Sequence, residues 1–262
     1  MKVTLISGSP KKKGSASETL LSIIKSYLTQ EDIGQGVSQK GKQRSSCAQD
    51  IKRQTDNQQI GETEDKKKGG EKTRNQDVQI NKLQLWQPQI DNQQIKELLE
   101  SDSIVLAFPL YIDSIPSHLL RCLMQIETYI QDQRIQSSLL SKVNIYVIVN
   151  NGFFQGKQNV LAIEVMQHWA KRCGFRFRQA VGIGGGGMIQ VIQSIPDGHG
   201  PKKNISIALK EMAENIIQSK SGTVRFLEPN YPAWAYKWQA EFMWRAMIKK
   251  NGLKKKEIHK QW

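Results

Sequence analysis

The stretch Gly8-Ser9-Pro10-Lys11-Lys12-Lys13-Gly14-Ser15-Ala16-Ser17 gathers three hydroxyls, three ammonium groups and a run of backbone amides ahead of a helical pattern. Such donors at a helix N-terminus suit a phosphate dianion, because the N–H groups point at the ligand and the helix dipole favours negative charge. The ending is not the Gly-Lys-Ser/Thr of a Walker A loop, and the spacing is not that of a dinucleotide fingerprint. A plainer reading keeps these residues as a turn and an N-cap. Further on, Pro109-Leu110-Tyr111-Ile112-Asp113-Ser114-Ile115-Pro116 sets an aromatic and branched aliphatics between prolines that restrict the backbone. A planar ring can lie on such a platform. Asn150-Asn151-Gly152-Phe153-Phe154 then offers amides that read polar ring edges, with a glycine that permits close approach.

Other groups are less promising. Gly182-Ile183-Gly184-Gly185-Gly186-Gly187 matches GxGxxG, but Ile207 stands where an acidic ribose ligand belongs, about 20 residues on. We read Gly185, Gly186 and Gly187 as a flexible rim where a substrate enters. The four histidines (His118, His168, His199, His259) share no ligand spacing, so no metal site is expected. His118 and His168 read as helix-surface residues. Cys47, Cys122 and Cys173 are scattered, which argues against a disulfide framework or an iron–sulfur cluster and fits a reducing compartment.

These residues need a scaffold, and the hydrophobic pattern supplies one. Val3 to Ser7 is a short apolar run; Ser15 to Leu28 then repeats apolar residues at helical spacing. Val78 to Leu85 alternates as a half-exposed strand does, while Ile104 to Phe108 and Val143 to Val149 are continuously apolar, as strands buried on both faces are. Phe175 to Ile183 gives a fifth strand. Helical periodicity covers Pro116 to Ile130, Val160 to Cys173 with Gly174 as C-cap, Lys203 to Gln218, and Pro232 to Lys250. Alternation of this kind predicts an α/β fold: a flavodoxin-like three-layer α/β/α domain with a five-stranded parallel sheet of order 2-1-3-4-5, right-handed crossovers and additional C-terminal helices. In such a sheet ligands bind beyond the carboxyl ends of the strands, where the three loops above fall.

The segments GSPKKKGSASETLL, FPLYIDSIPSHLLRCLMQIE and NNGFFQGKQ together resemble the flavodoxin-like NAD(P)H-dependent FMN reductases, over about residues 1–28 and 78–187. In that family the first loop reads approximately Gly-Ser-Pro-Arg, then Ser-Asn-Thr, and wraps the FMN phosphate. The second reads approximately Pro-x-Tyr, then Ile/Val-Pro, and flanks the isoalloxazine ring. The resemblance implies that Ser9, Pro10, Lys11, Ser15, Ala16 and Ser17 surround the phosphate. It implies that Pro109, Leu110, Tyr111 and Ile112 lie on one side of the ring, and Asn150, Asn151, Gly152 and Phe153 along its other edges. Lys11 stands where the family has Arg, and Ala16 where it has Asn, which removes a contact worth about 1–2 kcal/mol. The implied activity is hydride transfer from NAD(P)H to FMN and on to a second acceptor, such as a quinone, free flavin or other small electrophile. No catalytic side chain is implied. Family members are usually homodimers. The alternative is an electron-transfer flavodoxin that docks to redox partners without oxidising NAD(P)H; such carriers are typically acidic.

This chain is basic, at +14 over 262 residues. Eight Lys/Arg against two acids fall between Lys237 and Trp262. That tail suits contact with an anionic membrane surface, though an aromatic stripe such as Trp234, Trp238, Phe242 and Met243 more often packs on the domain or on a second subunit. Nucleic acid is the less favoured partner. The expected organisation is a flavodoxin-like domain over 1–222, followed by an amphipathic helix and basic tail over 223–262. About 29–77 is a polar insertion with too little apolar surface to offset its ordering entropy, so it is expected to be mobile. With no secretory signal and no apolar stretch of bilayer length, a cytoplasmic location is expected.

Overall fold

The computed structural model describes residues 1–29 and 77–252. The insertion at about 29–77, Cys47, His259 and the basic tail after residue 252 therefore lie wholly or almost wholly outside the described residues. The elements run β1 (Lys2–Ser7), α1 (Ala16–Thr29), β2 (Gln79–Gln84), α2 (Asn92–Leu99), β3 (Ser103–Pro109), α3 (Ser117–Asp132), α4 (Ser137–Leu140) and β4 (Asn144–Asn150). They continue with α5 (Val160–Arg172), β5 (Arg176–Ile183), α6 (Lys203–Ile217), β6 (Arg225–Leu227) and α7 (Ala233–Lys250).

Among the described residues all six strands join one parallel sheet in the order β2-β1-β3-β4-β5-β6. The first five follow the flavodoxin-like order. The expected five-stranded sheet is corrected to six by β6, which pairs with β5 from Val181–Arg225 to Ile183–Leu227. Strand β4 is buried along its whole length, and its residues alternate between two apolar layers. Ile145, Val147 and Val149 enter the layer shared with α3 and α5, whereas Tyr146 and Ile148 enter the layer shared with α1 and α6. Tyr146 stays buried because its hydroxyl donates to the carbonyls of Asn215 and Lys220, at 3.0 and 2.9 Å. Burial pushes its phenol up to about 12.

Local signals explain the element ends. Asp91 and Gln94 form a reciprocal capping box that starts α2, a helix the periodicity reading had not marked. Gly174 adopts φ +77° after α5, and Phe175 N–H closes on the Ala170 carbonyl at 2.9 Å, the left-handed cap its position suggests. One connection departs from the expected right-handed crossovers. Helices α1 and α3 serve crossovers in opposite directions from opposite faces, as a common hand requires. Helix α6 shares the α1 face yet leads outward to β6, as α3 leads outward to β4, so that last connection has the opposite hand.

Helix α7 also departs from expectation. None of its residues is buried, and the stripe Trp234, Trp238 and Phe242 is exposed rather than packed on the domain; Tyr236 alone of its aromatic residues reaches the domain, at Phe154. Met243, next to Phe242 in sequence, points to another side of the helix and is no part of one stripe. No helix among the described residues is long and apolar enough to cross a membrane.

Candidate functional site

Strand order reverses between β1 and β3, the point beyond whose strand ends a sheet of this kind takes its ligands. Gly8 begins the first loop, its N–H held by the Ala107 carbonyl at 2.8 Å. A Cβ at Gly8 would meet Leu119 Cδ2 at 2.5 Å, which is why a glycine stands there. The loops after β1, β3 and β4 then meet on Asn150. Its side-chain oxygen accepts from the Ser17 hydroxyl at 3.1 Å, and its backbone carbonyl accepts from Leu110 N–H at 2.7 Å. Both Ser17 and Asn150 are buried. Two loops that are distant in sequence are thus fastened to the end of β4.

In the first loop, Ser9, Ser15 and Ser17 are buried while Pro10, Lys11, Lys12, Lys13 and Gly14 are exposed. Ser9 Oγ accepts from Lys11 N–H at 3.3 Å. Ser15 caps α1: its Oγ accepts from Glu18 N–H at 3.1 Å, and the Glu18 carboxylate accepts from Ser15 N–H at 3.4 Å. The capping role and the anion-binding role therefore fall on the same residue. Glu18 is the feature that the sequence reading overlooked, although Ser-x-x-Glu ahead of an apolar run is the capping-box signature. Its other oxygen accepts from Gln84 Nε2 at 2.7 Å, which sets a carboxylate at the mouth of the loop. Ala16 sits half-buried against the layer beneath α1.

After β3, Tyr111 and Ser114 exchange backbone hydrogen bonds at 3.0 and 3.1 Å around Ile112 and Asp113, whose φ values are +49° and +56°. A β-branched residue rarely tolerates that region, and strain of this kind costs about 1–2 kcal/mol. The turn nonetheless presents Ile112 at 99% exposure, with Tyr111 beside it at 45%. Pro109 and Leu110 are half-buried at the strand end.

After β4, Asn151 is buried; its N–H reaches the Ile183 carbonyl at 3.0 Å and its Nδ2 reaches the Gln155 carbonyl at 3.1 Å. Its Oδ1 is shielded from water and has no hydrogen-bond partner. Gly152 and Phe153 face outward, and Tyr236 of α7 donates to the Gly152 carbonyl at 2.8 Å.

The loop after β5 is packed more tightly than a free hinge would be. Gly184, Gly185 and Gly186 have no room for a Cβ, which would meet Phe154 O, Pro229 Cγ and Asn151 O at 2.0, 2.4 and 2.6 Å. Gly187 alone of the expected rim faces open space. Gln190 then donates to the Gly14 carbonyl, which joins this loop to the first. Its far end is stapled by buried Lys202, which donates to the Ile195 carbonyl at 3.0 Å and pairs with Asp197 at 2.6 Å. Asp197 also accepts from Tyr27 of α1. Burial alone would raise the Asp197 carboxyl, but the hydrogen bonds from Lys202 and Tyr27 outweigh it and hold the group below its ordinary value. His118, expected on a helix surface, is half-buried in the first turn of α3, its Nε2 shielded and partnerless.

Two open depressions of about 530 and 600 Å³ lie to the side, among β2, α2 and α3. The first reaches Trp86, whose ring carries Lys12 Nζ at 3.9 Å from its centre. It adjoins the first loop but not the loops after β3 and β4.

No family model matches the sequence, and no curated protein matches it. Solved structures similar to this chain include an NADH:FMN oxidoreductase (EMOB) in its apo form, at 11% identity and TM-score 0.49, covering 84% of this chain and 90% of that one. Another is a short-chain flavodoxin associated with a non-canonical PDU bacterial microcompartment, at 12% identity and TM-score 0.46, covering 84% and 99%. An NADPH-quinone reductase from P. pentosaceus aligns at 14% identity and TM-score 0.46, covering 82% and 96%. Likeness of this degree does not bear on function; the flavodoxin-like fold stands on the strand order itself.

Proposed function

We propose that the chain binds flavin mononucleotide across the loops after β1, β3 and β4 and acts as an FMN-dependent NAD(P)H oxidoreductase with a small-molecule acceptor. The observation that carries the reading is Asn150, which fastens the serine loop and the Tyr111 loop to one strand end at the point where strand order reverses. The serine loop and the Tyr111 turn are thereby held in fixed relation, which supports a reading in which one takes the phosphate and the other the ring of a single compound.

The residues fit that group in two respects and oppose it in one. The first loop supplies hydroxyls and helix-terminal amides for a phosphate, with Lys11, Lys12 and Lys13 exposed around it. Asn151 Oδ1, in the loop after β4, is a buried acceptor without a partner and is matched in type to a ring N–H. Glu18 works against a dianion. When bound, FMN supplies hydride acceptance from a nicotinamide and donation to a second acceptor. The chain's own part is positional: Ser9 and Ser15 would hold the phosphate end, with Ser17 joining through its backbone N–H because its hydroxyl donates to Asn150; Leu110 and Tyr111 would shield one ring face from water, and the Gly152 N–H would meet the ring edge, its carbonyl being taken by Tyr236. No side chain is required to move a proton.

The test is titration of purified protein with FMN followed by steady-state oxidation of NADH and NADPH with a quinone. Saturable FMN binding and turnover are expected. Absence of FMN binding refutes the site; bound FMN without turnover refutes the reductase and leaves an electron carrier.

A further inference from the structure

The loop between β5 and α6 is pinned at several points and bridges the loops after β1 and β4. Near its start the Gly186 N–H donates to the Asn151 carbonyl at 2.6 Å. Near its end Asp197 accepts from Lys202 and from Tyr27 of α1. Between these points Ile189 and Ile192 are buried in the apolar layer shared with α1 and α6. The backbone of Gln190 is thereby set between two core anchors. Its side chain is exposed and free to bond water, yet it crosses to the first loop and donates to the Gly14 carbonyl.

The Gly14 carbonyl and the Ser15 N–H belong to one rigid trans peptide plane and point in opposite directions. Gly14 adopts φ +67° and has open space where a Cβ would stand, so the plane after it turns more freely than one between bulkier residues. A turned plane would aim a carbonyl oxygen where an anion needs an N–H. Two hydrogen bonds oppose that turn. Gln190 holds the oxygen, and the Glu18 carboxylate accepts from the Ser15 N–H at 3.4 Å. A phosphate that took the Ser15 N–H would displace Glu18 and leave the Gln190 bond in place.

We propose that Gln190 is a positioning residue for the anion end of the candidate site: by holding the Gly14 carbonyl, it keeps the Ser15 N–H aimed at a phosphate. The inference rests on the flavin phosphate lying at the first loop. Gln190 acts from the far side of the peptide plane, so its effect falls on the phosphate and not on the ring. One neutral hydrogen bond shifts an equilibrium by about two- to tenfold, which bounds that effect.

The experiment compares the affinity of the full chain for FMN and for riboflavin, which has the same ring and no phosphate, by quenching of flavin fluorescence. Gln190→Met keeps the length of the side chain and removes the donor; Val191→Ala alters the exposed neighbour, which makes no such bond. Gln190→Met should weaken FMN within the bound above and leave riboflavin unchanged, and Val191→Ala should change neither. Undiminished FMN binding by Gln190→Met overturns the proposal, as does an equal loss for both flavins. A melting midpoint several degrees lower also overturns it, because the whole loop would then have come away. Hydrogen exchange at the Ser15 amide of the flavin-free protein, followed by nuclear magnetic resonance, reads the peptide plane directly. Faster exchange in Gln190→Met is expected, and an unchanged rate overturns the proposal. A wild type that binds no FMN refutes the flavin site itself, and the exchange rate still decides whether Gln190 sets the plane.

Discussion

Glu18 is where the two uses of the first loop collide, and replacing it with Gln separates them. The Glu18 carboxylate accepts the Ser15 N–H at 3.4 Å, one of the amides that a phosphate at this helix terminus would take. A phosphate bound there would stand about 5 Å from that carboxylate. Two unit charges at that distance in water repel by about 0.8 kcal/mol, and a phosphate near −2 doubles the figure. Glu18 is half-exposed and can swing aside, so we take about half of the sum, roughly 1 kcal/mol. Glutamine keeps the capping geometry, because its side-chain oxygen still accepts from the Ser15 N–H, and the loss of helix stability is a few tenths of a kcal/mol. Glu18→Gln should therefore tighten FMN binding about fivefold, given ~1.4 kcal/mol per tenfold, while the apoprotein melts within a degree or two of wild type. Quenching of flavin fluorescence gives the dissociation constant, and the gain should shrink as salt rises. Unchanged or weaker binding by Glu18→Gln would show that no phosphate sits at the Ser15 end of the loop.

Two further expectations concern the frame around the site. Ser17→Ala leaves Asn150 Oδ1 buried without its donor, a loss of about 1–2 kcal/mol after a small gain in helix propensity that exposed Ser22→Ala measures separately. A double-mutant cycle with Asn150→Ala should give a coupling of about 1 kcal/mol in denaturant melts, and simple additivity would refute the tie. Asp197 has its folded-state carboxyl held below its ordinary value, so its contribution to stability is present above pH ~4 and is lost as pH falls through the lower folded value. The acid limb of stability should be steeper in wild type than in Asp197→Asn; matching limbs would mean that the Lys202 staple does not hold the loop.

How much of this the sequence disclosed depends on how many residues each signal spans. Strands β3 and β4 are legible because six and seven buried residues in a row, respectively, leave no amphipathic helical reading. Helix α2 lies in a window poor in apolar residues, with only Ile95 and Leu98 buried, and its capping box was the only clear sign. Strand β6 was out of reach for two reasons. Three residues cannot establish an alternation, and its connection through α6 runs against the usual hand, so the rule that predicts the other crossovers argues against it. What seats β6 is a contact invisible in one dimension: a Cβ on Gly156 would meet the Leu227 backbone at 2.5 Å, so the strand lies directly on a turn some 70 residues earlier.

The candidate site divides in the same way. Its residue types were legible, because serines at a helix start and an aromatic between prolines are local facts. Their joining was not, since it passes through Asn150, an amide read only as a ring contact. That amide is committed twice within the protein, to Ser17 through its side chain and to Leu110 through its carbonyl. A residue so occupied serves a ligand best by position. The group with capacity to spare is its neighbour Asn151, whose buried Oδ1 has no partner. An unfilled buried acceptor costs about 1–3 kcal/mol. A ligand N–H would recover that cost only where a shift of the loop exposed the oxygen, which is shielded from water as the loop stands, so the case for a ligand here rests on the position of Asn150.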